Sequence, residues 1–365
     1  MEEKTSVPPH QPKAKARHRA ASPAPKVNSS AKPKETTERG CVEAPVQSSR
    51  DWLHETLAML LWILLLVITQ LLMIIFAKRC TGHAPLPLLL CLAQFAISVI
   101  LSSSASKAVS KGAPRLLAPR AVLPDILPLS AVWTGGFVMF NAAALYMSPG
   151  MVNVIRCMEP VATVCVGAGL GQRFSWQVLA TLVPICGGVA MASLTSGGLS
   201  TTGICLAMIS NVAFCCRSFC LQRLRRNPQN KLDDLAVFFN VSWTATLVLP
   251  LLQIPLEGSQ VLPTLQGLAP DQLWIFAADM LASSTFFFLY QFVQLLVMTQ
   301  LSPLAFSVLT PVVKALMIVV LTAYYGDEMS LLKALGCVLS VGGGYLFTLA
   351  KSRSERSTAV RKKTS

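Results

Sequence analysis

Arg156, Arg217 and Lys314 each stand inside a long apolar stretch of the chain. A cation at the centre of a membrane helix costs roughly 2.5 to 3.5 kcal/mol even on the most forgiving scale, so three of them call for a use. The chemistry they suit is anion recognition: Arg offers phosphate oxygens a planar fork of N–H donors, and Lys offers a point charge. Arg156 has Glu159 three residues on, a spacing that shares a helix face, so these two are expected to pair. Lys314 has no acidic residue within a turn and is the foremost candidate for binding substrate. Arg217 lies near the end of its segment, where snorkelling to the membrane surface is the alternative to a pocket role.

The elements that must position these cations are membrane helices. Of 365 residues, 53% are apolar and 13% charged, and the mean hydropathy is +0.55, which is more apolar than a soluble domain needs. Apolar windows of about 20 residues match a hydrocarbon core of ~30 Å. Ten are expected, at 57–77, 85–104, 124–147, 150–170, 175–194, 201–220, 235–255, 273–298, 303–324 and 330–350. The net charge of +14 is distributed by side. With the N-terminus cytosolic, Lys107, Lys111, Arg115, Arg120, Arg223, Arg225, Arg226 and Lys231 share its side, while Lys78 and Arg79 face the other. This is the positive-inside pattern, it places both termini in the cytosol, and a nucleic-acid partner explains none of it. Residues 1–50 contain no Leu, Ile, Phe, Trp or Tyr and are expected to be a disordered basic tail; 351–365 form a second basic tail.

An internal repeat organises the apolar part. Ser148-Pro149 is echoed by Ser302-Pro303 at an offset of 154, and Gly171-Gln172-Arg173-Phe174-Ser175 by Gly326-Asp327-Glu328-Met329-Ser330 at 155. Gly187-Gly188 likewise matches Gly342-Gly343. Five helices per half, 57–194 and 201–350, mean that the halves are inverted relative to each other. That is the architecture of secondary transporters, which hold substrate near the midplane. The segments running from Ser-Pro to a cation, Arg156 in one half and Lys314 in the other, are expected to meet across the central cavity.

Other functions find little support. The four histidines, His10, His18, His54 and His83, fall outside the apolar spans, so general acid/base chemistry lacks its usual residue and an enzyme is not expected. The eleven cysteines show no metal-ligand spacing, and no metal or cofactor is expected. A cleavable signal peptide is excluded by the missing apolar core, and Glu2, Glu3, Glu35, Glu38 and Glu43 weigh against a plastid transit peptide.

Five stretches in order carry a family resemblance: Lys78 with Ala84-Pro85-Leu86-Pro87 and Gln94-Phe95; Val154-Ile155-Arg156-Cys157-Met158-Glu159-Pro160; Ser210-Asn211 with Arg217-Ser218; Leu289-Tyr290-Gln291; and Ser302-Pro303 with Lys314. Over 57–350 the chain resembles the sugar-phosphate and nucleotide-sugar branch of the drug/metabolite transporter superfamily. The resemblance implies phosphate binding by Arg156, Lys314 and Arg217, a hydroxyl or stacking contact from Tyr290, and orientation of a sugar by Asn141. Packing is the alternative for Tyr290. Triose-phosphate carriers of this family pair a Lys with an Arg where this chain has Val313 and Lys314, and place a His and a Thr where it has Phe137 and Phe140.

These readings combine into one expectation: an all-α integral membrane antiporter of ten helices that exchanges organic phosphates by alternating access. Fewer cations and two added aromatics favour a nucleotide sugar, whose base would stack. The alternatives are a transport-inactive scaffold with a transporter fold, and a plastid sugar-phosphate/phosphate exchanger. Lys362 and Lys363 resemble a dilysine retrieval signal read by a coat, which places the protein in the endoplasmic reticulum or Golgi membrane, ahead of the plastid envelope. The lipid bilayer is the surrounding partner, and a homodimer is compatible with this expectation.

Overall fold

Helices, and no strands, make up the described residues. The computed structural model describes residues 49–109, 116–194, 200–300 and 303–364. The tail expected over 1–50 lies outside them apart from its last two residues, and so does Ser302. In order the helices are α1 (Ser49–His83), α2 (Pro87–Val109), α3 (Leu123–Tyr146), α4 (Pro149–Arg156), α5 (Glu159–Gly169), α6 (Trp176–Ala180) and α7 (Leu182–Leu194). They continue with α8 (Thr201–Arg226), α9 (Asp234–Leu256), α10 (Gly258–Gln266), α11 (Pro270–Gln300), α12 (Pro303–Tyr325) and α13 (Leu331–Thr364).

Among the described residues, eight spans are long and apolar enough to cross a membrane, with α6 and α7 counted as one, and nine when α4 and α5 are taken as one bent span. The described apolar part of α12, Leu309–Tyr325, is shorter. Length and composition therefore reach eight or nine crossings where the sequence suggested ten. Many large apolar side chains point outward, among them Leu61, Val183, Leu251, Ile254, Trp274 and Val338. A continuous apolar exterior of this kind is what lipid contact requires.

The break between α4 and α5 has a local cause. Pro160 has no N–H to give to the carbonyl four residues back, which is that of Arg156, and its ring clashes there. The helix stops after Arg156, restarts at Glu159 and turns by 41°. The Arg156 carbonyl thereby loses its helical donor inside the bundle. The sequence suggested a continuous segment over 150–170, on which Arg156 and Glu159 would face each other; the segment is bent between them, and they form no ion pair. In the gap expected between 255 and 273 the chain instead forms the short α10.

The offset of 155 read from the sequence governs backbone and packing alike. Gly171 (φ 77°) and Gly326 (φ 66°) both take the left-handed conformation that glycine adopts without strain. In the first turn Gln172 N–H donates to Gly167 O at 2.9 Å; in the second Asp327 N–H donates to Thr322 O at 3.0 Å. The helices α7 and α13 touch so closely that a Cβ on Gly188 would lie 2.5 Å from Ser340 N, and one on Gly343 would lie 3.0 Å from Ile185 N. Residue 185 plus 155 is 340, and 188 plus 155 is 343. The two contacts are therefore the same contact viewed from either half, and they require α7 and α13 to run antiparallel. The most extensive pairings elsewhere are α3 with α8, α1 with α11, α2 with α9 and α2 with α11, and α4 also packs against α12.

One end of the bundle is sealed. Lys78 Nζ donates to the carbonyl of Ala144, and to Met147 O at 3.5 Å, which ties α1 to the end of α3. Ser148, the N-cap of α4, donates its hydroxyl to Asp327 beyond α12. Beside that bond Gly150 approaches Thr322 so closely that a Cβ would sit 2.8 Å from its hydroxyl. At the other end Asp125 accepts from Arg223 Nε at 2.9 Å and from Asn227 at 2.8 Å, which fastens α3 to the end of α8.

Candidate functional site: a cationic cavity at mid-bundle

A cavity of about 260 Å³ lies between the halves and reaches the unsealed end at Arg225 and Asp234, which pair at 3.0 Å. Arg156, Arg217, Tyr290 and Lys314, four of the five expected site residues, line it. Asn141 does not. Its amide donates to Cys91 Sγ at 3.1 Å and to Gln94 Oε1 at 3.2 Å, and Gln94 donates to Ser283 at 3.1 Å. This buried chain joins α3 to α2 and α11, nearer the sealed end. Asn141 borders a void of about 10 Å³ beside Lys78.

The arginines are held by aromatic faces. Arg156 Cζ lies 5.2 Å from the Phe140 ring centre and 4.9 Å from that of Phe214; Arg217 Cζ lies 5.1 Å from Phe214 and 4.7 Å from Trp133. The result is an alternating ladder: Phe140, Arg156, Phe214, Arg217, Trp133. Each ring attracts a cation through its quadrupole yet carries no formal charge, so both guanidinium charges remain uncancelled. Neither arginine has a carboxylate within ion-pair distance among the described residues. Arg156, Trp133 and Gln291 line this space, and Arg156 Nε, Trp133 Nε1 and Gln291 Oε1 are buried without a hydrogen-bond partner. Arg217, whose alternative was to snorkel, is stacked on Trp133 and lines the cavity instead.

Lys314 is held differently. Its ammonium donates to Glu159 Oε2 at 2.8 Å and to Arg156 O at 3.1 Å, the carbonyl that Pro160 deprived of its donor. The expected Arg156–Glu159 pair is replaced by Lys314–Glu159. Under the offset of 155 that relates Gly171 to Gly326, Lys314 corresponds to Glu159, whereas the Ser-Pro offset of 154 aligns it with Pro160. Trp133 and Phe214 were not anticipated. Aromatic residues in apolar segments carry no mark that separates packing from cation binding.

The aromatics counted in favour of a nucleotide have their faces occupied. Phe140 faces Arg156, and Phe137 is 5% exposed within a cluster of Phe95, Phe214 and Phe287. Neither lines the cavity. Its volume lies just below the ~300 to 1,000 Å³ usual for small-molecule sites.

A lipid-facing helical bundle with a cationic, partly unsatisfied cavity at its centre, sealed at one end, has the layout of a membrane carrier for anions. The chain belongs to the triose-phosphate transporter family, whose model matches residues 55–348. It is 28% identical over 279 residues to phosphoenolpyruvate/phosphate translocator 1, chloroplastic, of Oryza sativa subsp. japonica, covering 76% of this chain and 68% of that one. Translocator 3 of the same plant is 31% identical over 237 residues, 63% of this chain and 58% of its own. Glucose-6-phosphate/phosphate translocator 2, chloroplastic, of Arabidopsis thaliana is 25% identical over 232 residues, covering 62% and 58%. The chain thus spans between 58% and 68% of the length of these relatives. They are translocators and not enzymes, as the sequence reading expected of this chain.

These relatives overturn the location drawn from Lys362 and Lys363, since each is named chloroplastic and none for the endoplasmic reticulum or Golgi. The physical premise also fails. The signal was expected on a flexible tail, whereas α13 carries helical backbone through both lysines to Thr364.

Proposed function

We propose that this protein exchanges compact organic phosphates for inorganic phosphate across a plastid envelope membrane. The observation that carries this reading is the pair of guanidinium groups, stacked on aromatic faces and without a carboxylate, that open onto a cavity at mid-bundle. Phosphate oxygens accept from several N–H donors at once, which suits two forks side by side. Lys314 adds a donor beside them, and Tyr290 lines the same wall. The names of the relatives, translocators of phosphoenolpyruvate/phosphate and glucose-6-phosphate/phosphate, agree with cargo of this size.

Ten crossings in two inverted halves, with both termini on the cytosolic face, complete the proposal. The antiparallel contact of α7 with α13, related to itself by the 155-residue shift, supports the inversion. So does the pairing of helices: α3 with α8 and α1 with α11 exchange places when each span is replaced by its counterpart five spans away. Alternating access then means that the seal at Ser148 and Asp327 opens as the end near Arg225 and Asp234 closes. The empty cavity, lined by uncancelled cations in a poorly screened interior, resists this change until an anion is bound.

The test is exchange by purified protein in liposomes. Liposomes loaded with phosphate should take up labelled triose phosphate, hexose phosphate or phosphoenolpyruvate, and empty liposomes should not. Uptake of nucleotide sugars in preference to all three, or full uptake into empty liposomes, would overturn the reading. Binding without exchange would indicate a transport-inactive scaffold.

A further inference from the structure

An anion-binding cavity leaves one of its own residues unexplained. Glu159 lines the cavity, and a carboxylate beside a bound phosphate repels it. Its position in the repeat supplies a task. Glu159 and Lys314 are counterparts under the 155-residue shift, and they bind each other at 2.8 Å. When two inverted halves exchange roles, a contact between counterparts maps onto itself. The Ser148–Asp327 contact does not, because its counterpart joins different residues at the other end. At the 155-residue offset, the Glu159–Lys314 pair is expected to lie near the pivot and to persist in both orientations, whereas the seal is expected in one.

A permanent pair cancels its own charge. The ionised side chains lining the cavity are Arg156, Arg217, Arg225 and Lys314 against Glu159 and Asp234, a net of +2. Arg225 and Asp234 cancel at the mouth, and Glu159 cancels Lys314. What remains is the charge of the two stacked arginines. Closing a cavity around net charge in a low-dielectric interior is costly, so the occupant that closes it best is the one that brings the total to zero. We infer that Glu159 is the residue that sets the cargo charge at two negatives, so that the site selects phosphate monoesters with no further ionised group. This inference rests on the proposed exchange of organic phosphates and narrows its substrate class.

The experiment compares two three-carbon cargoes of different charge. At about pH 8, above the second phosphate ionisation near 6, dihydroxyacetone phosphate is a dianion, and phosphoenolpyruvate with its added carboxylate is a trianion. Dissociation constants for both are measured on the purified 365-residue chain by thermal shift and calorimetry. The unaltered protein should bind the dianion more tightly by about tenfold. Glu159→Gln, with a cavity of +3, should invert that order, and Lys314→Gln, at +1, should weaken both cargoes and the trianion most. Glu159→Gln combined with Lys314→Gln returns the cavity to +2 and should return the original order.

That recovery is a signature which a purely structural role for the pair would not produce. An unchanged order in Glu159→Gln, or a double variant that behaves like Glu159→Gln alone, overturns the inference. If Glu159→Gln does not fold, Lys314→Gln decides: an undiminished preference for the dianion supports the inference, and a shift toward the trianion overturns it. Liposome exchange is scored separately. Selective binding without exchange refutes the transport reading and leaves the charge assignment standing.

Discussion

Two neighbouring regions of one cavity solve the same problem in opposite ways. Arg156 and Arg217 are kept inside the bundle by Phe140, Phe214 and Trp133, while Lys314 is kept there by Glu159 and the carbonyl of Arg156. Aromatic faces stabilise a cation without neutralising it and leave the N–H edges of a guanidinium open. A carboxylate stabilises more strongly and removes the charge from the site. The difference teaches that the residue most conspicuous in the sequence, the lysine with no acid within a turn, is the one already partnered. The arginines, which the sequence supplied with a partner or an escape to the surface, hold the charge left for a ligand.

The most severe way to break this comparison is Arg156→Ala. Exchange should fall by about a hundredfold or more, since truncating one desolvated member of a charged contact costs ~2 to 5 kcal/mol. Phosphate-loaded liposomes measure it, and near-normal exchange would show that the stacked arginines are packing residues. Arg156→Lys should restore only part of the rate, because an ammonium has neither the planar face for Phe214 nor the fork for phosphate.

Next in size is Lys314→Met, which strands Glu159 inside the bundle. Breaking a largely buried pair costs ~3 kcal/mol, and removing both members costs far less. Denaturation in detergent should therefore show Lys314→Met less stable than the double variant with Glu159→Met. A double variant no better than the single would mean that the pair does not act as a unit.

Phe214→Leu sharpens the other side of the comparison, because this ring touches both guanidinium groups. Loss of cation–π contact worth ~1 to 2 kcal/mol should weaken phosphate binding about tenfold. The preference between dianion and trianion should stay as it was, since no formal charge is removed.

The smallest effect on binding is expected at Asn141, outside the cavity. Asn141→Ala leaves the Gln94 carbonyl and Cys91 without their donor and should lower stability by ~1 to 3 kcal/mol, with phosphate affinity unchanged. A large loss of affinity would return Asn141 to the binding site that the sequence assigned to it.

Much of the architecture was legible in the residues themselves. Apolar windows of membrane length mark helices because the bilayer core has a set thickness, and Gly171 and Gly326 mark matching helix ends because few other residues take a positive φ. The offset of 155 was readable too, and it already equated Glu159 with Lys314. Less legible were the breaks. Pro160 predicts a disturbance at Arg156, but not that the turn would be 41° or that Lys314 would take the freed carbonyl. Aromatic partners were the hardest to foresee, since Phe140, Phe214 and Trp133 have the same apolar appearance as any core residue.

By itself, then, the sequence determined an all-helical membrane protein with an internal repeat, and it nominated five site residues, four of which the structure brings to one cavity. Which cation keeps its charge was decided only by tertiary structure. Pairing along a helix depends on spacing, and spacing can be read; pairing between helices depends on where two axes cross and how each is rotated. The chain bends between Arg156 and Glu159, and the tertiary fold brings Glu159 on α5 to Lys314 on α12. A carboxylate inside a membrane pairs with whichever cation the fold brings within about 3 Å, because at that distance and low dielectric Coulomb attraction outweighs any preference set by sequence separation.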